Sequence, residues 1–242
     1  MNRSALLERS GQTSVQHENT PAQAERQIPE TAVQDLTCVY ISKRFYCSVK
    51  LCLDLFLSIV GAFFLIIPFA VISLAIFLDD PGPIFFAQYR IGRNGKEFVL
   101  YKFRTMKTSA PQYVPTAEID DPQQYITKVG NFLRKSSLDE LPQIFNIMRG
   151  EMSFIGPRPL ISSEHEIHDM RTRFGVYSVR PGITGLAQIH GRDLVSPAEK
   201  IRWDVKYLQN FGFLQDLQVL LQTFPKVFCK EGVVEGCRER DR

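Results

Sequence analysis

The chain has 242 residues, 44% of them hydrophobic and 23% charged, with a formal net charge of +3. That length supports one domain of ordinary size with an appendage, and the small charge gives no reason to expect a nucleic-acid partner. With 15 Gly and 14 Pro, collagen-like and wholly low-complexity architectures are excluded. Cys38, Cys47, Cys52, Cys229 and Cys237 form no CxxC pair, and His17, His165, His168 and His190 form no HExxH. Reduced thiols in a cytoplasmic setting follow from that pattern.

Residues 1–40 contain a single aromatic, Tyr40 at the very end, and are rich in Gln, Glu, Ser and Thr. Such a stretch buries too little apolar area to offset its ordering entropy, so a disordered extension is expected. It has no apolar core after a basic start and is not read as a signal peptide. Residues 41–80 form the second zone. From 55 to 78 there is no charge, and Phe, Ile and Leu dominate. As a helix these residues reach about 36 Å, slightly more than the hydrocarbon core of a bilayer. No polar face interrupts them, which places the segment in lipid. Pro68 lies near the middle, and basic residues flank both ends: Lys43, Arg44 and Lys50 before, Arg90, Arg93 and Lys96 after. A helix that breaks at Pro68 and returns puts both flanks on the cytoplasmic side, whereas proline is also tolerated in spanning helices. The residues alone leave both forms open.

Residues 81–229 read as a mixed α/β domain, followed by a charged tail at 230–242. Asp79-Asp80-Pro81-Gly82-Pro83 stops the apolar helix. Residues 84–91 and 97–105 are predicted strands joined around Asn94-Gly95, a strong hairpin signal. Tyr125, Val129, Phe132 and Leu133 have helical spacing, as do Leu141, Ile144, Phe145 and Met148, and Gly150 suits a helix C-terminus. Phe213, Leu214, Leu217, Leu220, Leu221 and Phe224 predict a helix with a broad apolar face, suited either to the core or to a membrane interface.

Three features can carry chemistry. Between Arg90 and Lys107 stand six Lys or Arg and one Glu. Lys102 and Arg104 share a strand face, which suits either anionic headgroups and solvent or a phosphate site. In Ser137-Leu138-Asp139-Glu140, Ser137 and Glu140 have the spacing of a capping box. The same turn could instead offer Asp139 as a nucleophile toward phosphorus and Glu140 as a ligand for a divalent ion. In Gly156-Pro157-Arg158-Pro159, two prolines stiffen the backbone around one guanidinium. Arg180 and Arg192 add cations in Gly-rich loops, and no Walker or Rossmann fingerprint is present.

The blocks Tyr101–Met106, Ser137–Gln143, Met152–Pro159 and Arg180–Gln188, with Lys50, Asp54 and Pro68 upstream, resemble those of the bacterial sugar transferases, the monotopic polyprenyl-phosphate phosphoglycosyl transferases. The resemblance covers about residues 44–228. It implies an α+β (mixed) fold: a re-entrant membrane helix broken at Pro68, then a compact cytoplasmic catalytic domain with amphipathic interfacial helices. It also implies transfer of a phospho-sugar from a UDP-sugar to undecaprenyl phosphate, with release of UMP, as the first membrane step of exopolysaccharide synthesis. By analogy Asp139 is the nucleophile that forms a covalent phospho-sugar intermediate, and Glu140 holds Mg²⁺ (or Mn²⁺). Arg134 and Arg158 bind substrate phosphate, and Lys102, Arg104 and Arg180 fall in shared motifs with the same expected role. The expected location is the bacterial inner membrane, with the catalytic domain on the cytoplasmic side. The expected partners are the two substrates, membrane lipid, a possible homo-oligomer and downstream glycosyltransferases, with no nucleic acid. Two departures stand out: Ile67 replaces a Ser found in some members before the break proline, and His190 stands where many have Asn. The rival readings are a lipid-directed glycosyltransferase releasing UDP and a membrane scaffold without turnover.

Overall fold

The computed structural model describes residues 43–111, 121–191 and 196–229. The extension at 1–40, the tail at 230–242 and Arg192 lie outside the described residues. A single helix, α1 (Arg44–Asp79), spans 36 residues, starting well before the uncharged run and enclosing Pro68. Among the described residues it is the one helix long and apolar enough to cross a membrane. Lacking an N–H, Pro68 leaves the Phe64 carbonyl without its helical donor.

Most of α1 is bare: Phe63 is 70% exposed, Ile67 74% and Leu78 73%. One stripe faces the rest of the protein. Tyr46, Lys50, Asp54, Ser58, Gly61, Phe69, Ile72, Ile76 and Asp79 recur at three- and four-residue steps or their multiples, the spacing of one helix face. At its start, Tyr46 Oη donates to Asp216 Oδ2 at 2.6 Å and Lys50 Nζ to the same oxygen at 2.5 Å. Mid-way, Phe154 N–H donates to Asp54 Oδ1 at 3.4 Å. Toward its end, Phe69 packs on Phe103 and Phe145 with ring centroids 5.0 and 5.6 Å apart. Asp79 Oδ2 then accepts from Val129 N–H at 2.8 Å.

The predicted hairpin forms. Strands β1 (Phe85–Ile91) and β2 (Glu97–Phe103) pair antiparallel, with Phe85 opposite Phe103 and Ile91 opposite Glu97. Asn94 (φ 58°) and Gly95 (φ 70°) both take left-handed backbone at the bend, which is what an Asn-Gly pair permits. Helix α2 (Lys128–Ser136) begins at a Thr127 cap whose side chain accepts from Gly130 N–H. Gly130 is required here: a Cβ would lie 2.0 Å from the Thr105 carbonyl oxygen. The helix expected over residues 141–148 forms from Ile144 onward, and its first turn is tighter. Residues Leu138–Gln143 form a 3₁₀ segment around Pro142, and only α3 (Ile144–Met148) is α-helical. Gly150 closes it with φ 72°.

The remaining elements are β3 (Ser153–Ile155), α4 (His165–Arg173), β4 (Gly182–Thr184), α5 (Leu186–Ile189), α6 (Pro197–Gln209) and α7 (Phe213–Cys229). Strands β3 and β4 pair in parallel. The main core, including Ile155, Met170, Phe174, Ile201, Tyr207 and Val219, sits among β3 and α4 to α7. A second cluster of Phe98, Leu100, Ile147 and Met152 joins the hairpin to α3. A third, Ile76, Phe103 and Leu133, joins α1, β2 and α2. Helix α7 keeps Val219 and Asp216 buried but exposes Phe213, Leu214, Leu221 and Phe224.

Candidate active site

The site forms where β2, the 138–143 turn and the loop after β3 meet. Ser137 ends α2 in left-handed backbone (φ 57°) and reverses the chain into the 3₁₀ turn. The capping box read from Ser137 and Glu140 does not form. Ser137's side chain caps nothing in that turn, and the Glu140 carboxylate points across to β2 and to the loop after β3. A capping box forms elsewhere, between Ser196 and Glu199 at the start of α6. Fully buried Asn146 fixes α3, and with it the turn, to β2: it accepts from Tyr101 N–H at 3.2 Å and donates to the Val99 carbonyl at 2.7 Å.

Lys102, on β2, stands between the two carboxylates, 2.8 Å from Glu140 Oε1 and 3.5 Å from Asp139 Oδ2. Arg158 Nη2 reaches the same Glu140 oxygen at 3.0 Å. Arg134, in the last turn of α2, donates from Nε to Thr105 Oγ1 at 2.9 Å, and its charge bears on Asp139. The structure thus brings together Lys102, Arg134, Asp139, Glu140 and Arg158. Arg104 is directed elsewhere: it lies just past the end of β2, where it binds the Asp80 carbonyl and pairs with Asp80 Oδ2 at 3.3 Å. Arg180 Nε donates to the Gly150 carbonyl at 2.9 Å, beside the end of α3. His190 stacks on Trp203 with ring centroids 3.6 Å apart and donates from Nδ1 to the Leu186 carbonyl.

The loop carrying Arg158 is held at four consecutive carbonyls. Gly182 N–H donates to Pro157 O at 2.9 Å, Arg171 Nη1 to Arg158 O at 2.8 Å, Arg90 Nη1 to Pro159 O at 3.3 Å and Ile91 N–H to Leu160 O at 3.0 Å. Arg171 is itself fixed by Asp204, through Nε at 2.9 Å and Nη2 at 2.6 Å, both side chains being almost fully buried. The close backbone approach depends on glycine: a Cβ on Gly182 would lie 2.1 Å from Gly156 N. Arg158 is therefore presented from a rigid mount, which limits the entropy lost when it engages a ligand.

The electrostatics divide the carboxylates. Burial would raise Glu140, but the Lys102 and Arg158 charges and their hydrogen bonds override it and hold this carboxyl well below the usual range. For Asp139, burial raises the carboxyl and the Glu140 charge adds to the rise, against the opposing pull of Lys102, Arg134 and Arg158. Neighbouring residues thus become a permanent anion and a more basic oxygen able to attack an electrophile. Burial lowers Arg134 as well. Arg90 is pushed down to about 10 by burial and by the Arg158 charge. From the sequence, Arg90 stood only as a basic flank of the apolar segment and a hairpin cation; the available signal was Gln88 and Arg90, two apart on one strand face.

The sequence that builds this site matches a known protein family over most of the chain. The profile described as bacterial sugar transferase matches residues 45–230. The chain belongs to the bacterial sugar transferase family. Among similar proteins, exopolysaccharide production protein ExoY of Sinorhizobium fredii is 38% identical over 206 residues, covering 79% of this chain and 88% of that protein. The UDP-glucose:undecaprenyl-phosphate glucose-1-phosphate transferase of Escherichia coli is 40% identical over 165 residues, covering 65% of this chain and 35% of that protein. The undecaprenyl-phosphate galactose phosphotransferase of Salmonella typhimurium is 35% identical over 167 residues, 63% of this chain and 35% of that protein. This sugar transferase therefore spans most of ExoY and about a third of each of the two longer enzymes.

Proposed function

We propose that this sugar transferase moves a sugar-1-phosphate from a UDP-sugar to undecaprenyl phosphate, releasing UMP, in exopolysaccharide synthesis. The observation that carries the reading is the divided carboxylate pair: Asp139 made more basic beside Glu140, which Lys102 and Arg158 keep ionised. An Asp139 carboxylate oxygen attacks the phosphorus that bears the sugar. The bond from that phosphorus to the bridging oxygen breaks, and its electron pair leaves with UMP. An oxygen of the lipid phosphate then attacks the same phosphorus, and the Asp139–phosphorus bond breaks to restore the carboxylate. Neither step needs a proton, so no general base is required. Lys102, Arg134 and Arg158 lower the repulsion between two successive phosphate anions and the carboxylates.

The donor set fits a hard divalent cation. Among the described residues no cluster of three or more His, Cys, Asp or Glu exists, so a cation here would complete its shell with phosphate oxygens and water, the habit of Mg²⁺. Glu140 would hold Mg²⁺ (or Mn²⁺), and the ion would neutralise phosphate charge.

The same proposal places α1 in the cytoplasmic leaflet of the bacterial inner membrane, as a re-entrant helix bending about Pro68. Its support is that both ends of α1 bind one globular body, Tyr46 and Lys50 through Asp216 and Asp79 through α2. A straight span would carry one end to the far side of the bilayer.

The test is the nucleotide released when purified full-length protein in detergent meets Mg²⁺, undecaprenyl phosphate and a panel of UDP-sugars. UMP formed by wild type, and lost in a folded Asp139→Asn variant, is the expected result. UDP as product would assign the reaction to glycosyl transfer instead.

A further inference from the structure

Arg90, whose neighbours include Arg158 and Glu140, has no task in the reaction scheme. Both of its hydrogen bonds go to neutral groups: Nη1 donates to the Pro159 carbonyl at 3.3 Å and Nη2 to Gln88 Oε1 at 2.7 Å. Its Nε is buried with no hydrogen-bond partner among the described residues. A guanidinium carries five N–H donors, so at least three remain uncommitted. Pro159 directly follows Arg158, so this bond brings a largely buried cation beside the half-exposed one already turned toward Glu140. The Glu164 and Glu140 charges lie within electrostatic reach, but neither carboxylate forms an ion pair with Arg90.

A largely buried charge beside a like charge, without a carboxylate against it, is unfavourable in isolation. A tetrahedral oxyanion bridging the two guanidiniums would remove that penalty. It would also meet the planar fork geometry for which arginine is suited.

Resting on the phospho-sugar transfer reading, we propose that Arg90 is a further phosphate-binding residue, pairing with Arg158 to grip a substrate phosphate from two sides. The bound group is either the diphosphate of the nucleotide sugar or the phosphate of the lipid acceptor. Arg90 does this while bracing the loop through Pro159 O, so its position is set by the same backbone that sets Arg158.

The test uses full-length protein in detergent and inorganic pyrophosphate as the probe, followed by titration calorimetry, which requires no turnover. Arg90→Met is expected to weaken pyrophosphate binding on the order of ten-fold, as for loss of a charged hydrogen bond, with Arg90→Lys intermediate. The same loss is expected when Arg90→Met is added to Arg158→Met. If Arg90 acts only as a brace for Arg158, it will have no effect in that background, and the proposal is overturned. Unchanged pyrophosphate affinity in a folded Arg90→Met protein also overturns it. With turnover, a raised KM for the UDP-sugar assigns the gripped phosphate to the donor, and a raised KM for undecaprenyl phosphate assigns it to the acceptor. Unchanged KM for both is incompatible with the assignment. Wild-type protein that binds pyrophosphate but forms no UMP would refute the transfer reading and leave the Arg90 result standing.

Discussion

Asp139 and Glu140 are consecutive, yet their carboxyls titrate in opposite directions from their ordinary values, and this sets the pH behaviour of the reaction. In the proposed reaction Asp139 attacks only when deprotonated. Because burial raises its carboxyl, the active fraction falls as pH drops through a value above the usual 3.8, while Glu140 remains ionised over that range. The kcat/KM profile for UMP release should therefore show an acid limb above that of an exposed aspartate. Lys102→Met removes a charge that lowers both carboxyls, so the limb should move to higher pH as maximal activity falls. An acid limb that stays in place would show that Lys102 does not tune Asp139. Arg171 acts differently. Its pairing with Asp204 is nearly water-free, and Arg171→Met would strand that carboxylate at a cost of about 3–5 kcal/mol, read as a lowered urea midpoint.

Some elements were legible in the sequence for local reasons. The Asn-Gly hairpin, the helix stop at Asp79–Pro83 and the amphipathic α7 each follow from residues adjacent in the chain. Of the two readings open for the 138–143 turn, the capping box does not form, because Glu140 pairs with cations from β2 and the Arg158 loop that are distant in sequence. Of the predicted site, Lys102, Arg134, Asp139, Glu140 and Arg158 converge. Arg104 was grouped with Lys102 by a two-residue period that the strand does not sustain beyond Phe103. The carboxylate that unites α1, α6 and α7 was invisible: Asp216 accepts from Tyr46, Lys50 and Tyr207, and only the tertiary arrangement shows it. Asp216→Ala would leave two hydroxyls and an ammonium without this acceptor. It should destabilise the protein by roughly 3 kcal/mol or more and make α7 more susceptible to limited proteolysis.

Across the molecule, the apolar surface of α1 and that of α7 belong to elements joined by Asp216, so the proposed membrane placement would link lipid contact mechanically to the core. If α1 re-enters as proposed, thiol probes introduced just before Arg44 and just after Asp80 should be labelled by an impermeant reagent from the cytoplasmic side only. Labelling of the two positions from opposite sides in oriented vesicles would establish a span. The stripe from Tyr46 to Asp79 has one more implication, for protein engineering. The anchor is not a cut-and-paste module, because its lipid-averse residues are addressed to partners in the catalytic half. Grafting a generic polyleucine helix in its place would still tether the domain to a bilayer. It would also leave Asp216 and the Val129 amide without their α1 partners, and the chimera would fail by losing its core rather than its address.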